Sequence, residues 1–312
     1  MTDSQRTHEL SIDGVRLLLD GQPHYFQGLS FFNALYNPSF NADAAARNAW
    51  LAKFGANGVN ALRVWCQWDF APPHTFVDTL PAHTMYTPDG AVREEPFERL
   101  RALILAADAR RMVIEVTLFS HEKQPNLPDD VLERAAREMA RRLAPYRNII
   151  VQIWNEDSTA VLRLAEAVKA EDPARLVTNS PGFAGNLGDD AQNRALDLLT
   201  PHTSRHDVEP FWEVAPRQIA SLLERYAKPV IDDEPARTGI VQFGGIPGGT
   251  LPERHIAQIE AVRALGAYHI YHHDMFQRSY GYATTPPSGV PDPDYSPFHR
   301  RVFGYLRDHR RW

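Results

Sequence analysis

The chain has 312 residues, 43% of them hydrophobic and 23% charged, with a formal net charge of −6. That length holds one α/β barrel, which takes about 250 residues, or two smaller domains. The acidic balance excludes the basic footprint of a nucleic-acid binder and suits a neutral or weakly polar partner, and the chain has no run of the roughly 18 apolar residues that a membrane-spanning helix needs.

The first ten residues, Met1 to Leu10, lack the apolar core of a signal peptide, so a cytoplasmic location is expected. Asp13-Gly14 and Asp20-Gly21 then flank short apolar runs, and residues 11–24 read as a hairpin that would plug one end of a barrel. Eight strands are predicted after it, over 25–31, 58–66, 112–119, 148–155, 175–179, 196–201, 229–233 and 267–273. Amphipathic stretches separate them at 43–54, 96–111, 129–143, 158–170, 212–227 and 252–265, and a last helix is predicted over 298–311. In 129–143 the apolar set Val131, Leu132, Ala135, Ala136, Met139 and Leu143 follows helical spacing, with Asp129 as its cap and Pro145 as its stop. The single cysteine, Cys66, lies in an apolar run and reads as a buried thiol.

Eight strands, each followed by a helix or a long loop, predict a single-domain (β/α)₈ barrel closed below by the hairpin. An open doubly wound sheet is disfavoured, because Gln27-Gly28-Leu29-Ser30 is not a phosphate loop. Long connections follow strands two (67–95) and eight (274–297); loops of that length usually wall a binding site.

Two of these strands end in acid. The fourth reads Ile149-Ile150-Val151-Gln152-Ile153-Trp154-Asn155-Glu156 and the seventh Pro229-Val230-Ile231-Asp232-Asp233-Glu234. In a parallel barrel all carboxyl ends of strands open on one face, where the chemistry sits. Two carboxyls meeting there can cleave a glycosidic bond, one protonating the departing oxygen while the other attacks or activates water. Arg63 stands inside an apolar strand and needs a buried anionic partner. Trp65 shares its parity and should face the barrel interior near the mouth.

With these motifs in place, the chain resembles the clan A retaining glycoside hydrolases, most nearly the cellulase-like family 5 group, over nearly its whole length. The resemblance implies that Glu156 is the general acid/base and Glu234 the nucleophile; this chain departs from the family in placing Asp232 and Asp233 before Glu234, which leaves Asp233 as an alternative carboxylate. It also implies that Asn155 binds the sugar 2-hydroxyl, that Arg63 hydrogen-bonds the nucleophile, and that His121 and His202 line the subsite of the cleaved sugar. An arginine beside Glu234 would keep it ionised, while Glu156, next to Trp154 and without an evident cation, would stay protonated. Relatives usually carry a tryptophan platform on strand eight; here the run is Tyr268-His269-Ile270-Tyr271-His272-His273. The stacking surface is therefore expected from Tyr271, His272, Phe276 or the Trp65/Trp68 pair, and His273 is a further candidate for contact with the sugar. Arg205 and His206, after strand six, divide evenly between site wall and plain loop.

The expected activity is cleavage of a β-linked glycoside or oligosaccharide, with a carbohydrate as the partner and no cofactor or metal. His272-His273-Asp274 does not make a metal site, since neighbouring strand residues point to opposite faces. Two alternatives stand beside this reading. One is a barrel that binds carbohydrate without cutting it, which predicts carboxyls too far apart. The other is a metal-dependent hydrolase or isomerase using the His/Asp set of strands six and eight.

Overall fold

The computed structural model describes residues 7–68, 80–121, 126–205, 210–235, 239–243, 245, 247–273 and 286–311. Three short strands, β1 (Leu10–Asp13), β2 (Arg16–Leu19) and β3 (Gln22–Pro23), form an antiparallel sheet. β1 and β2 pair from Leu10↔Leu19 to Asp13↔Arg16, so the turn between them is two residues long. Gly14 takes the positive φ of 58° that such a turn demands. Leu10, Leu17 and Leu19 pack into one cluster with Phe26, Ala61, Val113, Ile150 and Ile270, closing the barrel floor as the sequence predicts. The Tyr268 hydroxyl accepts from the Leu17 amide at 2.8 Å and ties the hairpin to the last strand.

The parallel strands are β4 (Gln27–Ser30), β5 (Ala61–Trp65), β6 (Val113–Ser120), β7 (Ile149–Asn155), β8 (Leu176–Thr178), β9 (Ile231–Asp232) and β10 (Tyr268–Tyr271). They pair in the order β8-β7-β6-β5-β4-β10-β9. The segment predicted as strand six makes a single parallel bridge, Leu199↔Val230, in place of a full strand. It still fills the gap: the Asp197 amide donates to the Val177 carbonyl at 3.0 Å on one side, and the Leu199 amide to the Pro229 carbonyl at 2.9 Å on the other. The result is a (β/α)₈ barrel.

Helices α1 (Ala44–Ala56), α2 (Glu94–Asp108), α3 (Asp129–Leu143), α4 (Val161–Glu171), α5 (Asp190–Ala195), α6 (Phe211–Tyr226), α7 (Pro252–Ala264) and α8 (Pro297–Asp308) alternate with the strands. α3 buries the predicted apolar face, with Ala140 added. Its N-cap is Pro128 rather than Asp129, which sits in the first turn with Asp130, where acid favours the helix dipole. α5 was not foreseen; at six residues it is too short for a periodic signal.

Of the two long connections, residues 80–92 fold back against the end of β5. Their contacts are an antiparallel bridge Gln67↔Thr84 and a Met85 amide to Cys66 carbonyl bond of 2.8 Å. The remaining parts expected to wall the site, 69–79 and 274–285 with Phe276, lie outside the described residues, as does His206. Among the described residues no helix is long and apolar enough to cross a membrane.

Candidate active site

Inside the barrel, above its apolar floor, lies a polar layer. Arg63 on β5 is wholly buried, and each nitrogen of its guanidinium is engaged. Nη1 donates to Glu234 Oε1 at 2.8 Å, Nη2 to Asn155 Oδ1 at 2.7 Å, and Nε to Gln152 Oε1 at 3.1 Å. Glu115 on β6 and Asp233 complete its surroundings at 3.7 and 3.3 Å. A TIM-barrel interior is ordinarily packed with branched apolar side chains. Here one strand-borne cation replaces them and gathers acids and amides from β6, β7 and the end of β9.

These acids do not behave alike. Burial pushes the Asp233 carboxyl well up despite Arg63, with Glu115 and Glu234 adding to the effect. Burial also lifts Glu115 to about 7, against the pull of Arg63. Glu234 moves the other way: burial would raise it, but His202, His272, Arg63 and Arg205 together hold it well below the usual carboxylate range. Of the three acids, Glu234 is thus the one held firmly ionised. Backbone geometry separates the three acids of the seventh strand. Asp232 faces outward and accepts from Thr203 Oγ1 and from Gln258 Nε2 of α7. Asp233 faces the interior, taking Ser180 Oγ and Gln152 Nε2. Glu234, beyond the strand end, turns into the mouth.

Glu156 closes β7 from a left-handed backbone conformation, φ 62°. For a residue with a Cβ this is an uncommon and mildly costly state, and such states cluster at functional sites. It turns the chain out of the strand at the point where the half-buried side chain meets the mouth. A carboxylate oxygen of Glu156, a ring nitrogen of His202 and a carboxylate oxygen of Glu234 all lie within 4.8 Å of one another. His202 is fully buried between them, Nδ1 3.7 Å from Glu156 Oε1 and Nε2 3.5 Å from Glu234 Oε1.

Among the described residues this trio is the one group placed to hold a metal ion. A dication there would face two guanidiniums that already lie 2.8 and 2.7 Å from Glu234, a repulsive arrangement in a low-dielectric interior. The surroundings fit a carboxylate pair better than a metal centre.

The other expected residues divide. Trp65 lies in the upper wall with the Arg63 guanidinium 4.4 Å from its ring centroid. It stacks on Phe32 at 4.7 Å, and Trp68 adjoins both rings. Asn155 is held by Arg63. His121 stands at the rim, Nδ1 3.4 Å from Asp157 Oδ2, with its ring against Phe183. Tyr271 and His273 do not reach the mouth. The Tyr271 hydroxyl meets His299 Nδ1 at 2.8 Å, and both rings pack among His255, Phe298 and His299 of α7 and α8. Their parity sends them into the helix layer, while Tyr268, Ile270 and His272 point inward. His272 is therefore the residue of that strand in the site, with Nε2 3.8 Å from Glu234 Oε2 and Nδ1 2.9 Å from Ser30 Oγ.

Arg205 corrects a second expectation. Its Nη1 donates to Glu234 Oε2 at 2.7 Å and its Nη2 approaches Glu156 Oε1 at 3.4 Å, so Glu156 does have a cation beside it. Phe32, Ser180 and Gln152 also belong to the site and were not singled out from sequence. A buried polar residue in an apolar run, such as Gln152, was the available signal.

No family model and no curated protein matches the chain in sequence. Its fold is found in solved glycoside hydrolase structures. A family 5 glycoside hydrolase from Bacteroides vulgatus superposes with a TM-score of 0.66 at 16% identity, over 86% of this chain and 62% of that one. A family 5 mannosidase from Rhizomucor miehei gives 0.66 at 12% identity, over 96% and 97% of the two chains. A β-mannanase from the blue mussel Mytilus edulis gives 0.61 at 15%, over 97% of each. The chain spans 57% and 62% of the length of two Bacteroides vulgatus chains that it matches.

Proposed function

We propose that this chain is a retaining glycoside hydrolase that cleaves a β-linked glycoside or oligosaccharide by double displacement. The observation that carries this reading is the meeting of Glu156 and Glu234, carboxylate oxygens within 4.8 Å, at the carboxyl ends of strands four and seven. Retaining enzymes hold their carboxyls about 5–5.5 Å apart, whereas inverting ones need roughly 6.5–9.5 Å to admit a water. The shared fold with family 5 structures supports the same assignment.

In this mechanism Glu234, rather than the inward and more deeply enclosed Asp233, attacks the anomeric carbon. Arg63 and Arg205 hold its two oxygens and keep it ionised. Glu156 gives its proton to the departing oxygen, then as a carboxylate takes one from the water that releases the glycosyl ester. Phe32, Trp65 and Trp68 offer apolar ring faces, and Asn155, His202 and His272 offer polar edges, a mixture suited to a sugar ring.

The test is a panel of aryl β-glycosides, β-mannosides included. Glu234→Ala should lower turnover by several orders of magnitude, because the covalent step disappears. Glu156→Ala should harm substrates with poor leaving groups far more than activated aryl ones. Unimpaired turnover in the first variant, or equal loss across leaving groups in the second, would contradict these roles.

A further inference from the structure

Arg205 offers this mouth more than holding the nucleophile requires. Arg63 already binds the proposed nucleophile from beneath. Arg205 adds a second guanidinium whose side chain is only 2% exposed and which lies between the two carboxylates. Its donors are unevenly used. Nη1 is taken up by Glu234 at 2.7 Å, and among the described residues Nη2 has only the 3.4 Å contact with Glu156 and the buried Nε has no acceptor. Nε and Nη2 form the side-on edge of a guanidinium, the edge that pairs with both oxygens of a carboxylate. An unmet charged donor in a buried setting is costly, and a ligand that meets it is favoured.

Charge counting points the same way. For cleavage, Glu156 must carry a proton and Glu234 must be ionised. Asp233 and Glu115, the other acids of the layer, are pushed by burial toward their neutral forms. Arg63 and Arg205 then share Glu234 as the one carboxylate to which both donate at close range, while Asp232, whose carboxyl Arg205 also draws down, and Glu115 are only partly charged near neutrality. While Arg205 leans on Glu156, it also disfavours the proton that Glu156 must hold.

We infer that Arg205 recognises a carboxylate carried by the sugar itself, so that the substrate is an acidic glycoside. This rests on the hydrolase reading. A substrate carboxylate on the Nε–Nη2 edge would meet the unused donors and draw Arg205 away from Glu156, restoring the acid in the same event.

The test compares matched aryl β-glycosides that differ in one group: uronides, with a carboxylate on C5, against hexosides with a hydroxymethyl there. Aryl glycosides of ulosonic acids, with the carboxylate on the anomeric carbon, distinguish the other source of the same chemistry. The wild-type chain should favour one carboxylated class by about 100-fold or more in kcat/KM, the scale on which a site rejects a ligand that leaves its buried charge unpaired. In Arg205→Gln that ratio should collapse toward unity, whatever happens to absolute rates. A ratio unchanged in the variant overturns the role of Arg205. Should the variant fail to fold, the wild-type ratio decides. Hydrolysis of hexosides without preference for either acidic class overturns the inference while leaving the hydrolase reading intact. Hydrolysis of none contradicts the hydrolase reading. Thermal-shift titration with a free uronic acid against its parent hexose then tests acid recognition alone, and equal shifts overturn it.

Discussion

Arg63 shows how a single residue both costs and organises. Desolvating a guanidinium is expensive, and the expense is met only because carboxylate, amide and hydroxyl acceptors converge on it from several strands. Replacing it by Met would leave Glu234, Asp233 and Glu115 crowded without their cation. Arg63→Met should therefore cost about 3–5 kcal/mol of stability, the usual penalty for removing one partner of a buried ion pair, measured by urea denaturation. A loss under about 1 kcal/mol, the scale of a surface pair, would contradict this account of the layer. Arg63 was legible in the sequence because a charge inside an apolar strand demands a partner. Arg205 was not: it follows a strand of one bridge, in a stretch with no periodicity to say which way a side chain points.

At the scale of elements, β10 carries the clearest lesson. Alternation makes side-chain direction a matter of parity, but parity needs an anchor, and the sequence offered aromatic residues on both faces. The anchor is Tyr268, which reaches the hairpin through Leu17, so 270 and 272 face in while 271 and 273 face out. The prediction is a contrast. Tyr271→Phe removes the hydroxyl from a buried pair with His299 and should cost about 1–3 kcal/mol of stability while leaving kcat/KM intact. His272→Ala should cost turnover, because it withdraws a group 3.8 Å from the proposed nucleophile. Loss of turnover in Tyr271→Phe with none in His272→Ala would reverse the assignment of faces. Long periodic elements such as α3 and β7 were readable because burial repeats over several turns or residues. α5 was not, since six residues are too few to repeat anything, and strand six was signalled in place but forms only one bridge.

The whole molecule couples its fold to pH through buried groups, most of them outside the site. His24, His255, His269 and His299 are buried, and desolvation depresses them, His24 to about 4 and the other three to about 3. His273 is likewise driven well below its ordinary value by burial. In the unfolded chain each would titrate near 6.5. As pH falls from there toward 3–4, the unfolded state gains protons that the folded state refuses, and stability drops by about 1.4 kcal/mol per pH unit for each proton. Three buried carboxyls act oppositely: burial raises Asp232 to about 6, Glu115 to about 7 and Asp233 well above its ordinary value. Their contribution is present in acid and fades as pH rises through those values. Five against three leaves a net loss on the acid side, with stability greatest near neutrality. The melting temperature should fall steadily between pH 6.5 and 4.5; a flat or rising profile would contradict this balance. The barrel itself was legible as eight strand signals and a hairpin, because closing a parallel sheet needs only their order. The distribution of charge within it needed coordinates, since the Arg63 layer draws on β5, β6, β7 and the seventh strand at once.

The most direct test of the two-glutamate mechanism is the anomeric configuration of the first-formed product. It is read by proton NMR during hydrolysis of whichever aryl β-glycoside the chain turns over fastest. Carboxyls as close as Glu156 and Glu234 predict that the β-anomer appears first and only later mutarotates to the equilibrium mixture. Initial release of the α-anomer would mean that water attacks directly, and would contradict a covalent intermediate on Glu234.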